Sequence, residues 1–409
     1  MLKELRLENF KGLGKAKIEF GDITILIGPN GVGKSSIIQA LMVLRQSIGQ
    51  KGLVASGDLI ELGEFKDIKK RNENASHIGI GITVGLNESP ILGIKDNAVY
   101  ACDTYWDPYL TRFNAVIESS SGEHMKVIWD RETGTKIEPE LLVPNGEKSE
   151  EIWIRFQSGD QFHRPIVISN DFISKKSNRL EELRNIMKKA KSEAEDIVNK
   201  LEKDLRNVYY VPAIRGIEKH FYNLADQYVI DLPAGRNVQL ATTFAYASSG
   251  IKDMIEIWSN EITGSAISAN LIPNKRVVIE SSEADGIPVV VDGSGVNQLT
   301  QLLLMFGIVP SGSTLGIEEP EIHLHPKAQK KLCSLLAQLI KNVWKRQLII
   351  TTHSEHILYG FLSEMRNGNI NREDLKIYYF EEKGSEPIYN EIDEGGDIYN
   401  WGKNFFNHS

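Results

Sequence analysis

A glycine-rich segment near the amino terminus constrains this chain more than any other feature. Residues 28–35 read GPNGVGKS, which matches the pattern GxxxxGK[ST] at every fixed position. The apolar run ITILI precedes the segment, and KSSIIQALMVLRQS, whose apolar residues have helical spacing, follows from its lysine onwards. A buried strand, a glycine loop and a helix in this order predict a phosphate-binding loop rather than a glycine-rich turn with a merely solvated lysine.

Each residue type in this loop has a physical reason to be there. Glycines let backbone N–H groups converge on phosphate oxygens, and the helix start adds unpaired donors and a positive dipole end. Lys34 is expected to reach the β- and γ-phosphates, and the Ser35 hydroxyl to ligate Mg²⁺. The residues expected to bind nucleotide here are Asn30, Gly31, Val32, Gly33, Lys34, Ser35 and Ser36.

Far along the chain, an apolar strand ends in carboxylates. The run LGI is followed by Glu318, Glu319, Pro320 and Glu321, and an open α/β sheet places its chemistry at the carboxyl ends of its strands. Glu318 is predicted to hold Mg²⁺ through water, and Glu319 to polarise an attacking water. The alternative is an acidic loop at a helix start, which the helix dipole also favours. The phosphate loop elsewhere in the chain favours the catalytic interpretation.

The segment QLIITTHSEHIL repeats this design, with His353 at the end of an apolar strand. A histidine there can hydrogen-bond a γ-phosphate and the attacking water. His323 and His325 in EIHLHP could suggest a metal site, but no further ligands accompany them at a recognisable spacing. We therefore interpret this pair as structural.

Hydrophobic patterning divides the chain into regions. Strands alternating with helices at its two ends predict one largely parallel sheet covered on both faces. Between about residues 76 and 170, short segments separated by Gly, Asn, Ser and Pro predict an antiparallel β region. We expect an N-terminal lobe over residues 1–173, a helical arm over 174–206 and a C-terminal lobe over 207–409.

The predicted arm is amphipathic. From Leu180 to Leu205 its apolar residues recur three and four apart among many lysines and glutamates, which predicts one helix or a short coiled coil of roughly 40 Å. Between Lys175 and Arg206 there are ten basic and seven acidic residues, whereas the whole chain has a net charge of −8. The arm is predicted to dock a partner protein or DNA; the alternative is a helix packed along its own β lobe with a solvated charged face.

Composition limits the classes of protein and the cellular compartments that fit this chain. A net charge of −8 argues against a protein that coats nucleic acid over its whole surface and leaves room for a local basic patch. Cys102 and Cys333 are the only cysteines, too few and too far apart for a disulfide scaffold. No stretch approaches 18 uncharged apolar residues. We expect a cytoplasmic protein with no membrane partner.

These segments together resemble the ABC ATPase superfamily, specifically the branch that contains SMC, RecF and OLD-family proteins. LRLENFKGLG is similar to the opening strand of that branch, EEPEIHLHP to its Walker B stretch and TTHS to its H-loop. The resemblance implies an α/β P-loop NTPase of ABC type: a mostly parallel sheet flanked by helices, an antiparallel β lobe and a short helical arm. It implies ATP and Mg²⁺ as ligands, and Lys34, Glu319 and His353 as catalytic residues.

The resemblance also implies a signature segment that contacts the γ-phosphate bound by the opposite subunit. Residues 292–298 read DGSGVNQ, just before the acidic strand, and lack the leading leucine and second glycine of LSGGQ. Ser294 and Gly295 are therefore the contacts that it assigns. Lys11 either approaches the nucleotide or is simply exposed. Arg215, in VYYVPAIRG, is either a buried partner of carboxylates or a nucleotide contact. Gln46 and Gln50 are the candidates for the Q-loop glutamine.

Four functions compete. The leading hypothesis is a homodimeric ATPase, similar to ATPase subunits of prokaryotic antiphage systems, that senses DNA or a foreign protein and regulates a separate effector, a nuclease or toxin. The alternative is a RecF- or SMC-like repair or chromosome-maintenance ATPase that clamps DNA. The departure from LSGGQ disfavours a transporter motor, and Glu319 with His353 disfavours a non-hydrolysing scaffold. The residues after TTHS are too few for a TOPRIM nuclease domain, so we expect no intrinsic nuclease.

Overall fold

The structure is a computed structural model of the 409-residue chain. It describes residues 1–48, 50, 53–70, 77–85, 97–106, 111–118, 124–130, 134–140, 154–156, 166–167, 202–224, 237–282, 286–341 and 345–398. The chain forms two compact units. The first contains Met1–Phe20, Gln39–Arg206 and Lys383–Glu386, and the second contains Gly21–Ile38, Asn207–Glu382 and Pro387–Ser409.

The first unit is built on an antiparallel sheet of nine strands. Its strands are β1 (Leu2–Phe10), β2 (Leu13–Glu19), β4 (His77–Gly85), β5 (Asn97–Trp106), β6 (Thr111–Glu118), β7 (His124–Asp130), β8 (Gly134–Glu140), β9 (Ile154–Phe156) and β10 (Ile166–Val167). Their order is β10-β9-β8-β7-β6-β5-β4-β1-β2. Buried and exposed side chains alternate along β2, as its sequence predicts. The predicted antiparallel β region is confirmed.

The second unit contains a six-stranded, mostly parallel sheet. Its strands are β3 (Ile23–Ile27), β11 (Val208–Val211), β16 (Thr314–Glu318), β17 (Gln347–Thr352), β18 (Leu375–Tyr379) and β19 (Ile388–Asn390). They lie in the order β11-β16-β17-β3-β18-β19, in which only β19 runs antiparallel to its neighbour. Every residue of β3, β16 and β17 is buried, as expected for parallel strands covered on both faces.

Seven α-helices have bounds that lie within the described residues. They are α1 (Lys34–Ser47), α2 (Phe65–Ile68), α3 (Asn237–Ala245), α4 (Ser249–Thr263), α5 (Ser294–Ile308), α6 (Pro326–Lys341) and α7 (Glu355–Arg366). Apolar side chains of α3 to α7 pack with those of the parallel sheet in one core of the second unit. The Ser354 side chain accepts hydrogen bonds from the amides of His356 and Ile357 and so fixes the start of α7.

A small antiparallel sheet completes the second unit. It contains β12 (Tyr222–Asn223), β13 (Ala266–Ile272), β14 (Arg276–Ser282) and β15 (Ile287–Pro288). The strands β14 and β15 form a hairpin whose second arm is short: Val289–Val291 form a 3₁₀ turn instead of extending the strand. Pro288 lacks an N–H group and cannot continue a ladder as donor.

The predicted helical arm lies almost wholly outside the described residues. Only its end is described, where residues 202–206 are helical. Here the amino group of Met1 pairs with Asp204 at 3.1 Å. The boundaries predicted at residues 173 and 206 stay predictions.

Candidate functional site

Three neighbouring strands of the second unit bring the predicted motifs to one edge of the sheet. In the parallel register, Glu318 at the end of β16 lies beside Thr351, and Thr352 at the end of β17 lies beside Ile27 at the end of β3. The phosphate loop, the acidic turn and His353 each begin directly after these positions. Because all three strands end at the same edge, segments far apart in sequence meet there.

The phosphate loop leaves β3 through a backbone shape that glycine permits. Gly28 has φ 151°, and a Cβ atom there would lie 2.2 Å from the carbonyl oxygen of Phe380. Gly31 and Gly33 also have positive φ values of 76° and 117°, which side chains disfavour. Asn30 and Gly31 are exposed, Val32 is buried, and α1 begins at Lys34. The loop therefore presents exposed backbone at a helix N-terminus, the form that binds phosphate groups.

Lys34 is buried at the centre of this edge. Its Nζ atom donates hydrogen bonds to the carbonyl oxygens of Gly28 at 2.8 Å and Pro29 at 2.7 Å, and lies 3.1 Å from Nε2 of His353. Burial lowers the pKa of Lys34 to about 8, although the nearby carboxylates, Glu319 first among them, act in the opposite direction. The ammonium group is thus held where a phosphate would complete its charge balance.

The lowered pKa of Lys34 predicts a pH dependence of stability. Between about pH 8 and 10.5 the unfolded chain holds a proton that the folded protein has lost, so stability rises with pH across this window. Below about pH 8, Lys34 is charged in both the folded and the unfolded states, so the full cost of burying the charge lowers the free energy of unfolding. We expect the free energy of unfolding of the wild type, relative to Lys34→Met, to rise by on the order of 1–3 kcal/mol from pH 7 to pH 10. Urea unfolding at each pH measures this difference, and a difference that stays constant would contradict it.

Glu318 is a buried carboxylate with one oxygen unsatisfied. Its side chain hydrogen-bonds with Tyr210 of β11, whose pKa is raised by burial and then by this carboxylate. Its other oxygen, Oε1, is buried without a hydrogen-bond partner among the residues that the structure describes. A buried oxygen left in this way is costly unless a cation or a water satisfies it. Glu318 therefore fits the metal-holding role predicted for it.

Glu319 follows in a left-handed backbone conformation. Its φ of 45° is uncommon for a residue with a side chain and persists only where surrounding contacts hold it. The Glu319 amide donates to the carbonyl oxygen of Thr351 at 2.8 Å. Its Oε1 atom lies 3.2 Å from Nε2 of His353, and the two side chains are partly exposed. Lys34, Glu319 and His353 therefore meet around one ring nitrogen, whose tautomer decides whether it accepts from Lys34 or donates to Glu319.

Glu321 fixes the position of His353. Its Oε1 atom accepts hydrogen bonds from the Thr352 hydroxyl at 2.6 Å and from the His353 amide at 2.9 Å. One side chain thus ties the acidic turn to the end of β17. No role for Glu321 was predicted from the sequence, although it is the last carboxylate in the EEPE run.

Arg215 hydrogen-bonds to the backbone of the acidic turn, and the carboxylates of that turn also attract its charge. Its guanidinium donates to the carbonyl oxygens of Glu318 at 2.8 Å and Glu319 at 3.1 Å, and of Pro212 at 3.2 Å. Burial lowers the pKa of Arg215 to about 10. Neither interpretation from the sequence anticipated this contact with main-chain oxygens.

The signature segment lies at the start of α5. Gly293 and Ser294 are exposed there. A Cβ atom at Gly295 would lie 2.6 Å from the carbonyl oxygen of His323, so the helix start packs directly against the turn that follows Glu321. This close approach gives the glycine a packing role in its own chain. The contact predicted across a dimer for Ser294 and Gly295 stays a prediction.

Comparisons with known proteins decide the family. Residues 1–358 match the family described as AAA ATPase domain. The chain belongs to that family. Residues 370–409 match a second family, described as Protein of unknown function (DUF3696).

Two named proteins are similar to parts of this chain. The thiamine import ATP-binding protein ThiQ of Chelativorans sp. (strain BNC1) is 33% identical over 79 residues, and the DNA double-strand break repair Rad50 ATPase of Archaeoglobus fulgidus is 32% identical over 88 residues. These segments cover 18% and 21% of this chain, and 32% and 9% of the two relatives. The chain thus spans less than a third of each relative that it matches.

The fold has a counterpart among solved structures. The SMC head bound to the C-winged helix domain of ScpA covers 96% of this chain and 98% of its own, with a TM-score of 0.51 and 14% identity. At this identity the likeness is one of fold. The predicted α/β P-loop fold of ABC type is confirmed: the chain contains an AAA ATPase domain, and its fold is similar to that of the SMC head.

Lys11 and Gln46, which were also among the predicted residues, have local partners. Lys11 has a left-handed φ of 53°, and its Nζ atom donates to Gln39 at 2.6 Å. Gln39 lies on α1, four residues beyond Ser35, and an approach of Lys11 to the nucleotide stays a prediction. Gln46 holds a loop: it donates to the Val54 carbonyl at 2.7 Å and accepts from the Ile60 amide at 3.2 Å.

The histidine pair forms part of a turn. His323 has a left-handed φ of 60°, and Nδ1 of His325 accepts from the Lys327 amide at 3.3 Å. Within the described part of the chain, no group of three or more His, Cys, Asp or Glu residues is arranged to hold a metal ion.

No helix of that same part is both long enough and apolar enough to cross a membrane.

Proposed function

We propose that the protein binds ATP with Mg²⁺ at the edge formed by β16, β17 and β3 and hydrolyses it in a homodimer. The observation that carries the proposal is the meeting of Lys34, Glu319 and His353 around Nε2 of the histidine, at 3.1 Å and 3.2 Å. A buried cation can bind phosphate oxygens, a carboxylate can take a proton from water, and an imidazole can orient that water, so this set suits phosphoryl transfer to water.

Each residue of this edge has a proposed task. Lys34 and the amides of Asn30 to Ser36 bind the phosphates of ATP, while Ser35 and Glu318 hold Mg²⁺, which when bound neutralises charge on the β- and γ-phosphate oxygens. Glu319 is the general base that takes a proton from the attacking water. His353 orients that water and the γ-phosphate. Glu321 keeps His353 in place by accepting a hydrogen bond from the His353 amide at 2.9 Å.

The place of the signature segment supports the proposed homodimer. Ser294 is exposed at the amino-terminal end of α5, where a helix favours negative charge. In the ABC arrangement that the sequence resembles, this serine meets the γ-phosphate bound by the opposite subunit. Each ATP would then lie between Lys34 and Glu319 of one chain and Ser294 of the other.

Mixed mutants test this composite site. Lys34→Ala and Ser294→Arg proteins should each be inactive alone, because every dimer lacks one half of both sites. An exchange-competent equal mixture should recover about a quarter of the wild-type ATPase activity, since half of its dimers are mixed and each contains one intact site. Phosphate release measures the recovery.

A matched mixture provides the control. Lys34→Ala and Glu319→Gln alter the same half of the site, so their mixture should recover no activity even when subunits exchange. Recovery of ATPase activity in this control would contradict the trans geometry. So would the absence of any recovery in the Lys34→Ala and Ser294→Arg mixture once subunit exchange is demonstrated.

The cellular role that we favour is regulation of a separate effector in antiphage defence. ATP-dependent closure of the dimer would report a trigger, DNA or a foreign protein, to a nuclease or toxin in the cytoplasm. The support is the sequence resemblance to ATPase subunits of such systems, together with the predicted basic arm over residues 174–206 as a docking element. Purification with the product of a neighbouring gene, followed by nuclease assays with and without ATP, tests the role.

A DNA-clamping ATPase is the second candidate. The likeness to the SMC head and to the Rad50 repair ATPase favours it. ATP-dependent retention of DNA by the purified chain, without a neighbouring gene product, would favour this function over effector regulation.

A further inference from the structure

The loop Arg215–Ile217 connects two parts of the site that are far apart in sequence. On one side it contacts the first two turns of α5, which begin with the signature segment. On the other side it contacts the acidic turn after β16. All of these contacts lie within the second unit.

Two side chains and one main-chain carbonyl of α5 bind this loop. Asn297 accepts from the Ile217 amide at 2.5 Å and donates to the Ile217 carbonyl at 3.1 Å. The Gly216 amide donates to the Gln301 side chain. Nε of Arg215 donates to the Gln298 carbonyl at 3.4 Å. Gly216 has φ 139°, and a Cβ atom there would lie 2.8 Å from Oδ1 of Asn297, so the loop follows α5 closely.

Arg215 carries this connection to Glu319. Its two terminal nitrogens reach the carbonyl oxygens of Glu318 at 2.8 Å and Glu319 at 3.1 Å. Glu319 is in the left-handed conformation, with φ 45°, and such a residue keeps this conformation only while neighbouring contacts over-determine it. The hydrogen bond from the Glu319 amide to the Thr351 carbonyl is one of these contacts, and Arg215 provides another. A lysine has no planar fork that could bind both carbonyls at once.

We propose that Arg215 is a positioning residue that aligns Glu319 for hydrolysis and couples this alignment to the position of the signature helix through Asn297. The coupling rests on the proposed composite site, because only a partner's ATP would press on Ser294. Arg215 contacts neither the phosphate loop nor the Lys34 side chain through the bonds described. Its loss therefore affects turnover and leaves nucleotide binding in place.

Four variants of the full chain test the proposal, with kcat and the Kd of ATP measured for each. Arg215→Ala should lower kcat about 10- to 100-fold with Kd changed by less than about threefold. Arg215→Lys should fall between this variant and the wild type. Asn297→Ala, which leaves Arg215 in place, should lower kcat by about 3- to 10-fold. Arg366→Ala is the matched control, because Arg366 also holds two main-chain carbonyls, of Gly395 and Gly396, at 3.0 and 2.9 Å, and should leave both constants unchanged.

The double variant Arg215→Ala with Asn297→Ala decides the coupling. A shared pathway predicts a kcat no lower than that of Arg215→Ala alone, whereas independent effects would multiply. A kcat of Arg215→Ala within about twofold of the wild type, or multiplied losses in the double variant, would overturn the proposal. If Arg215→Ala does not fold, Arg215→Lys combined with Asn297→Ala makes the same comparison. Hydrolysis by wild-type protein whose molar mass under the assay conditions is that of one chain would contradict the dimer. That outcome leaves the comparison between Arg215→Ala and Arg366→Ala intact.

Discussion

Glu319→Gln protein is expected to bind ATP with a Kd within about threefold of the wild type and to hydrolyse it at least ~10²-fold more slowly. Glutamine keeps the size of the side chain and its contact distance to His353, 3.2 Å in the wild type, but it cannot take a proton from water. Lys34 and its bonds to the phosphate loop are untouched. Isothermal titration with ATP and single-turnover phosphate release measure the two quantities.

Glu373→Gln is the matched control for this variant. Glu373 is exposed on the 3₁₀ turn Arg372–Asp374, away from the edge formed by β16, β17 and β3, and its replacement should change neither constant. If Glu319→Gln hydrolyses ATP at the wild-type rate, the assignment of the general base is wrong. A loss of binding in that variant would instead place Glu319 in the phosphate cradle.

Lys34→Ala should have the opposite signature, with ATP affinity lowered at least ~10²-fold. Lys34 is a buried cation whose Nζ atom lies 2.8 and 2.7 Å from two loop carbonyls, and alanine removes both its charge and its reach toward the phosphates. Lys330→Ala, on the exposed face of α6, is the control and should bind ATP normally. Affinity of the Lys34→Ala protein within about tenfold of the wild type would contradict the assignment.

The parts of the site that the sequence could predict are those that each lie in one short segment. Residue types and the surrounding pattern are enough to identify the GPNGVGKS loop between a buried strand and a helix, and the carboxylates after LGI. Their meeting at one edge also follows from sequence, because the parallel strands β3, β16 and β17 all end there.

The supporting residues could not be predicted, because their partners are set by the tertiary register. Arg215 lies about a hundred residues from the carbonyls that it holds, and nothing local distinguishes it from an arginine paired with carboxylates. Glu321 looks like an acid at a helix start, yet it binds the His353 amide from the neighbouring strand end. The left-handed φ of Glu319 likewise arises from contacts on both sides of its turn, to Thr351 and Arg215.

The molar mass of the Glu319→Gln protein in solution, with and without ATP, is the decisive measurement for the composite site. With ATP and Mg²⁺ we expect twice the chain mass of 45.9 kDa, because ATP bound by Lys34 of one chain would meet Ser294 of the other and no hydrolysis would reopen the dimer. Adding Ser294→Arg should abolish this doubling. A protein that is saturated with ATP and still has the mass of one chain would contradict the composite site.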